Sequence, residues 1–276
     1  MDYLTPTTLD DALAALSARD LSVIAGGTDW YPAQGERPIE SDMLDITRIA
    51  GLRSIARVEQ GWRIGAASTW SDVIAADLPP AFDGLKAAAR EVGSVQIQNA
   101  ATLVGNLCNA SPAADGVPPL ATLNASVEIC SARGVRVLSL AEFITGVRSV
   151  ALERGELVSS IVFPEMSSTR KSAFAKLGAR KYLVISIAMV AVTLELEAGI
   201  LRDVHVAVGS CAPVAKRMLA LEQALEGQPL GNAEALIAGS DLPELSPIDD
   251  VRGSAAYRKD VVGALILRAL KEAAHG

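Results

Sequence analysis

TLVGNLCNASPAAD, at residues 102–115, is the most informative segment of the sequence. It offers a hydroxyl, a glycine, two asparagines and a serine before it ends in a carboxylate, so it can hydrogen-bond a long polyhydroxylated ligand at many points. Residues 96–119 around it show no hydrophobic periodicity, and a long structureless stretch inside a compact domain is typical of a functional loop. A solvated asparagine-rich turn is the alternative, but Leu103, Val104 and Leu107 are too apolar for it.

A second candidate loop, AGGTD, occupies residues 25–29 and follows a short apolar run that predicts a strand. Paired glycines permit positive φ and remove Cβ, so consecutive amides can point into one concavity that suits a pyrophosphate. Thr28 can add a hydroxyl donor, whereas Asp29 suits such a site only if it bonds backbone amides or a sugar hydroxyl. By itself this pattern is more typical of a structural turn.

Composition excludes several classes of protein. Of the 276 residues half are hydrophobic, and the net charge is -7, which argues against a nucleic-acid partner. The three cysteines, Cys108, Cys130 and Cys211, are far apart and only two histidines occur. This spacing excludes an iron–sulfur cluster held by the chain alone and argues against a metal site. No GxGxxG, P-loop, GxSxG or HExxH motif is present, and no catalytic acid, base or nucleophile stands out.

The sequence also bears on location. Unpaired cysteines are typical of a reducing cytoplasm. The acidic N-terminal segment lacks the basic start of a signal peptide. The longest apolar run, residues 183–194, is too short to cross a bilayer and is better explained as a buried strand. We therefore expect a soluble cytoplasmic protein without a membrane span.

The order of predicted elements indicates an α+β protein. A small βαβ unit comes first, and a hairpin at residues 55–66 opens a larger mixed unit. After a polar linker at residues 165–171, three strands are predicted at residues 172–177, 184–195 and 204–209. Helices follow at residues 214–225, 233–237 and 255–274.

In this order and spacing, the two loops resemble the FAD-binding subunit of the molybdenum hydroxylases, the family of xanthine dehydrogenase and carbon monoxide dehydrogenase. The likeness continues through four further segments and spans nearly the whole chain. They are SIVFP at residues 160–164, FAKLGARK at 174–181, VGSCAPVAKR at 208–217 and DDVRGSAAYRKDVVGALILRAL at 249–270. The second loop and the C-terminal segment together are specific, whereas AGGTD alone is not.

The resemblance implies a two-part FAD-binding domain of the PCMH type at residues 1–168, with subdomains at about 1–52 and 53–168. An α+β C-terminal domain of the carbon monoxide dehydrogenase flavoprotein type would follow at residues 169–276, with a three-stranded antiparallel sheet and helices. The implied cofactor is FAD. Molybdopterin and [2Fe–2S] clusters would be held only by partner subunits.

The resemblance also implies the residues that hold FAD. Asp115 would bond a ribose or ribityl hydroxyl, Val158 would supply a backbone contact, and Lys176 would stand near the isoalloxazine ring, where a cation stabilises the reduced flavin. The diphosphate and ribityl chain would be wrapped by the two loops, namely Ala25, Gly26, Gly27, Thr28, Asp29, Thr102, Leu103, Val104, Gly105 and Asn106.

One residue departs from the family pattern, which usually has two glycines before the asparagine. Here the first of them is Val104, and a Cβ disfavours positive φ. Either Val104 keeps a negative φ, or FAD binding is altered.

The function that the resemblance implies is electron transfer in a heterotrimeric molybdenum hydroxylase. A large molybdopterin-binding subunit would oxidise the substrate, and a small subunit would carry the [2Fe–2S] clusters. FAD in this chain would pass the electrons to NAD⁺ or another acceptor. Two alternatives are a stand-alone FAD-dependent oxidase or reductase of the same fold group, and a scaffold subunit that has lost FAD.

Overall fold

A computed structural model describes residues 1–181 and 183–275. Its strands are β1 (Tyr3–Leu4), β2 (Ser22–Ile24), β3 (Met43–Asp45), β4 (Ile55–Val58), β5 (Gly61–Gly65), β6 (Ser126–Ser131), β7 (Gly134–Ser139), β8 (Ile144–Gly146), β9 (Ser149–Val150), β10 (Leu157–Pro164), β11 (Lys171–Leu177), β12 (Ala188–Glu197), β13 (Ile200–Gly209) and β14 (Lys216–Arg217). Its α-helices are α1 (Leu9–Ala18), α2 (Trp30–Gln34), α3 (Trp70–Ala75), α4 (Asp83–Glu91), α5 (Val95–Ala100), α6 (Leu103–Asn109), α7 (Val117–Thr122), α8 (Leu140–Phe143), α9 (Leu219–Leu225), α10 (Ala233–Ala238) and α11 (Ala255–His275). Among these described helices, none combines the length and apolar character that a membrane span needs.

The chain forms two compact units, each assembled from separate segments. The first unit comprises Met1–Ala76, Ser94–Ala110 and Ala125–Glu165. The second comprises Asp77–Gly93, Ser111–Asn124 and Met166–Gly276.

The first unit begins with a three-stranded parallel sheet in the order β1-β3-β2. Helix α1 connects β1 to β2, and the hydroxyl of Thr8 accepts a hydrogen bond from the amide of Asp11 at 3.2 Å. This cap fixes where α1 starts. Ala12 and Leu16 form its buried face.

The same unit contains a five-stranded antiparallel sheet in the order β4-β5-β10-β6-β7. The hairpin predicted at residues 55–66 forms its β4–β5 edge. Strand β10 lies at the centre and is almost entirely buried. The register of β10 against β6 shifts between Val158 and Ser160, so β10 carries a bulge there.

The second unit is built on an antiparallel sheet in the order β11-β12-β13-β14. Helix α11 packs on this sheet through apolar residues that include Val262, Ile266 and Leu270. Three strands were predicted here, and the two-residue β14 is a fourth. Because Lys216 and Arg217 pair with β13, the helix predicted at residues 214–225 starts only at Leu219.

The absence of regular structure predicted for residues 96–119 is wrong. Helices α5, α6 and α7 occupy most of this segment. Ser94 caps α5 by accepting from the amide of Ile97 at 3.4 Å, and Thr102 caps α6. Each helix has only six or seven residues, fewer than two full turns. Such short helices leave no repeating apolar pattern to recognise.

Candidate functional site

The first loop, AGGTD, turns sharply where β2 ends. Gly27 has a φ of +66°, a conformation that side chains disfavour. At Gly26 an added Cβ would collide with the carbonyl oxygen of Ala100 and lie 2.8 Å from the Cα of Ala101. The first loop is therefore packed on the backbone that leads directly into Thr102. The fold brings the two predicted loops together and needs a glycine to do so.

Backbone amides of the first loop suit an anionic ligand. In the described part of the chain, the amides of Gly26, Gly27, Thr28 and Asp29 donate no hydrogen bond to a protein acceptor. The carbonyls of Gly27 and Asp29 accept from α2, at 3.0 and 3.1 Å. Four consecutive donors beside a positive-φ glycine form the kind of concavity that holds a phosphate group.

The second loop begins as a capped helix. The hydroxyl of Thr102 accepts from the amide of Gly105 at 2.9 Å, and the Thr102 carbonyl accepts from the amide of Asn106 at 3.0 Å. Leu103 is fully buried and anchors the first turn. Val104 lies in this turn with a negative φ and is 4% exposed. Of the two alternatives that the sequence left open, a negative φ at Val104 is therefore the correct one.

A cavity of about 330 Å³ lies in the first unit where these loops meet. Ala25 from the first loop, Val104 and Gly105 from the second, and Val158 from β10 line it. Ligand pockets commonly span about 300–1,000 Å³, so this cavity can enclose part of a dinucleotide. Its apolar wall includes residues that the sequence did not mark as functional, among them Leu16, Leu21, Ile46, Ala66 and Leu157.

One wall of the cavity is the hydrogen-bonded loop that precedes β10. Arg136 binds the carboxylate of Glu156 through two hydrogen bonds, at 2.7 and 2.8 Å, and the amide of Glu153 donates to Glu156 at 2.7 Å. The hydrogen bonds from Arg136 outweigh burial and hold the pKa of Glu156 below its ordinary value. Gly155, with a φ of +79°, completes the turn.

Cys108, on α6, also lines the cavity. Burial raises the pKa of its thiol to about 12, so the thiol is neutral at physiological pH. Cys108 is half-buried, and a neutral thiol on a cavity wall behaves as a small apolar group.

Asp115 and Lys176 form a separate cluster inside the second unit. The Lys176 ammonium is 2.7 Å from Oδ2 of Asp115, and the hydroxyl of Ser186 donates to Oδ1 at 2.6 Å. The side chains of Lys176 and Asp115 are 6% and 10% exposed, respectively. Burial outweighs the attraction of Lys176 and raises the pKa of Asp115. Ser186 was not predicted, because it lies 71 residues from Asp115 in a segment whose sequence indicated only a strand.

The fold and the first-unit cavity define a class of protein. The end of β2 at Ala25, the capped helical turn at Val104 and Gly105, and the bulged strand at Val158 line a partly apolar cavity. This arrangement is that of a protein which binds a phosphate-bearing organic cofactor through backbone loops.

Comparisons with known proteins identify the family. The family model described as "FAD binding domain in molybdopterin dehydrogenase" matches residues 1–166. The model described as "CO dehydrogenase flavoprotein C-terminal domain" matches residues 173–273. The chain therefore belongs to the family of FAD-binding subunits of the molybdopterin dehydrogenases, as its sequence predicted.

Individual relatives agree. The glyceraldehyde dehydrogenase medium chain of Sulfolobus acidocaldarius is 30% identical over 99% of this chain and 98% of its own. A putative xanthine dehydrogenase FAD-binding subunit of Escherichia coli K12 is 31% identical over 98% of this chain and 95% of its own. The solved structure of reconstituted CO dehydrogenase from Oligotropha carboxidovorans matches with a TM-score of 0.91 at 26% identity. The match covers 99% of this chain and 97% of the chain in that structure.

Three predictions are thereby confirmed. The protein has the α+β fold of this family, it is an oxidoreductase subunit, and its cofactor is FAD. The molybdenum cofactor and the iron–sulfur clusters belong to other subunits of these complexes. The cavity that begins at Ala25 suits the apolar parts of FAD, and the four first-loop amides that lack an acceptor among the described residues suit its phosphates.

Proposed function

We propose that this chain is the electron-transfer subunit of a heterotrimeric molybdenum hydroxylase. A large partner binds molybdopterin, and a small partner carries [2Fe–2S] clusters. Electrons from those clusters pass through FAD in this chain to NAD⁺ or another acceptor. Bound FAD supplies the exchange of one or two electrons, which links one-electron clusters to a two-electron acceptor.

The observation that carries this proposal is the convergence of the two loops on one cavity. Ala25, Val104, Gly105 and Val158 line the cavity, and each was predicted to contact FAD. In the proposal, the amides of Gly26, Gly27, Thr28 and Asp29 hold the diphosphate. Thr102, Leu103 and Asn106 maintain the second loop, whose first turn is fixed by the Thr102 cap.

The second unit contains a cation in a defined position. Lys176 is held by Asp115 at 2.7 Å, so its ammonium group has a defined position. We propose that this group stabilises negative charge on the reduced flavin and that Asp115 bonds a sugar or ribityl hydroxyl. The ion pair is compatible with both roles, because a carboxylate accepts several hydrogen bonds.

The names of the relatives support an assembly with partners. They include a medium chain, FAD-binding subunits, and a nicotine 6-hydroxylase medium subunit from Paenarthrobacter nicotinovorans. We propose the division into a FAD-binding domain at residues 1–168 and a C-terminal domain at residues 169–276, which the two family matches support. The proposed location is the cytoplasm, which suits the three free cysteines.

Co-expression with the neighbouring genes and purification through a tag on this chain tests the assembly. A yellow complex that contains iron and molybdenum is the expected result. A yellow chain that oxidises a substrate alone would instead identify a stand-alone flavin oxidase. A colourless chain that takes up no added FAD would identify a scaffold subunit.

The electron acceptor has a separate test. The purified complex is mixed anaerobically with NADH, and the flavin absorbance is followed. Bleaching of the flavin would identify NAD⁺ as the partner of FAD, since electron transfer between them is reversible. A flavin that stays oxidised with NADH but is reduced when the hydroxylase substrate is added would exclude NAD⁺.

A further inference from the structure

The bulge in β10 lies beside the cavity. Val158 stands opposite Ile129 of β6, and Ser160 stands opposite Glu128, so Ser159 is the additional residue. A bulge bends its strand and redirects the neighbouring residues, and bulges are common next to functional sites. Here the redirected neighbour is Val158, which lines the cavity.

Ser159 connects the bulge to two other strands. Its carbonyl accepts from the amide of Ala66 at 2.9 Å, directly after β5, and Ala66 also lines the cavity. Its hydroxyl donates to Oε1 of Glu128 on β6 at 2.6 Å. The position of the Ser159 backbone therefore sets two parts of the cavity wall, Val158 and Ala66.

Glu128, on the neighbouring strand β6, accepts the hydrogen bonds that hold the Ser159 bulge. Oε1 of Glu128 accepts from the hydroxyls of Ser159 and Ser160, the latter at 3.0 Å, and from Arg63 at 2.9 Å. Both serines are fully buried, so their hydroxyls depend on this acceptor. Burial of Glu128 disfavours its charge, but the bonds from Ser159 and Arg63 outweigh burial and lower its pKa.

We propose that Glu128 is a positioning residue for FAD: it fixes the Ser159 bulge and thereby the cavity wall formed by Val158 and Ala66. Glu128 itself does not line the cavity, so its effect on FAD passes through Ser159. The inference rests on the proposed function, because it requires that FAD binds in this cavity.

Titration of the full chain, freed of flavin, with FAD tests the proposal. Quenching of flavin fluorescence gives Kd, and the melting temperature of each variant confirms that it is folded at the temperature used. We expect Glu128→Ala and Ser159→Ala each to weaken FAD binding by about tenfold, which corresponds to about 1.4 kcal/mol. The double variant should bind no more weakly than Glu128→Ala, because both changes break the same connection.

Two further variants separate positioning from general stability. Glu128→Gln keeps an oxygen acceptor for the serine hydroxyls and should restore Kd to within about threefold of the wild type. Glu142→Ala removes a capping carboxylate of α8 in the same unit, with bonds of 2.9 and 2.7 Å to Ser139. It should lower the melting temperature and leave Kd unchanged.

The possible failures are distinguishable. A wild-type chain that binds no FAD overturns the proposed function and this inference with it. A wild-type chain that binds FAD, together with wild-type Kd in Glu128→Ala, overturns the inference alone and reduces Glu128 to a structural residue. Should Glu128→Ala fail to fold, Ser159→Ala decides the question on the same criterion, because it leaves the Glu128–Arg63 pair intact.

Discussion

Replacing Lys176 with methionine removes the cation from a buried ion pair while it keeps most of the side-chain volume. The ammonium of Lys176 is 2.7 Å from Asp115, and both side chains are at least nine-tenths buried. The carboxylate would remain buried with Ser186 as its other hydrogen-bond donor. Breaking a buried pair by removal of one partner costs about 3–5 kcal/mol. We expect Lys176→Met to lose this much free energy of unfolding at pH 7.

The loss should depend on pH in a defined direction. Burial already raises the pKa of Asp115 in the folded wild type, and removal of Lys176 raises it further. The folded variant then binds a proton more readily than the unfolded chain. Its stability should therefore fall as pH rises above the ordinary carboxyl pKa near 4, by at most about 1.4 kcal/mol per pH unit. Acidic solution should recover part of the loss.

Urea unfolding followed by circular dichroism at pH 4.5 and pH 7.5 measures both effects. Lys271→Met is the matched control, because Lys271 pairs with Glu234 at 3.4 Å on the exposed surface of the same unit. The Lys271→Met substitution should lower the free energy of unfolding by less than about 1 kcal/mol. The double variant Asp115→Asn/Lys176→Met should recover much of the loss, since it leaves no buried charge. A loss below about 1 kcal/mol, or one that is the same at both pH values, would refute this reasoning.

The proposed role of Lys176 beside the flavin predicts a second effect of the same substitution. Loss of the cation should make the midpoint potential of bound FAD more negative, because negative charge on the reduced flavin is less stabilised. When both changes are expressed as free energies, the change in midpoint potential should be larger than the change in Kd for FAD. Redox titration of the wild-type and Lys176→Met complexes measures this change, and an unchanged potential would remove Lys176 from the flavin site.

The remaining predictions concern the first unit. Gly26→Ala should destabilise the chain by about 1–3 kcal/mol and weaken FAD binding, because the added Cβ meets the Ala100 backbone. Thermal unfolding and FAD titration measure the two effects. Gly51→Ala is the control, because a Cβ at Gly51 meets nothing within 4 Å. Val104→Gly should cost roughly 2–4 kcal/mol in urea unfolding without tightening FAD binding, and tighter binding would show that the side chain obstructs FAD. Cys108 should not react with Ellman's reagent at pH 8 until the chain unfolds, since its thiol pKa is about 12; rapid labelling that Cys108→Ala abolishes would contradict this.

Patterns that extend over many residues were read correctly from the sequence. Helix α11 was predicted over residues 255–274 and is found at Ala255–His275, because twenty residues are long enough for a helical apolar stripe to repeat. The hairpin predicted at residues 55–66 is likewise found, as β4–β5. These features depend on local sequence, which a single chain displays directly.

Features that depend on tertiary contacts were not predictable in the same way. Asp115 and Lys176 were each assigned to FAD by resemblance, yet nothing in the sequence indicated that they pair across 61 positions. The bulge at Ser159 was also missed, because it arises from the register of β10 against β6. Both features lie where the sequence shows only unremarkable strands and loops.

The two loops differ in why they need glycine. At Gly26 the backbone of Ala100 and Ala101 leaves no room for a Cβ, so the constraint comes from packing between the loops. At Gly105 a Cβ would lie 2.9 Å from the hydroxyl of Thr102, which is the group that caps α6. Val104 escapes both constraints, because it has an ordinary helical φ and a buried apolar position. A valine at the first position of this pair is therefore compatible with the loop, whereas the same change at Gly105 would disturb the Thr102 cap.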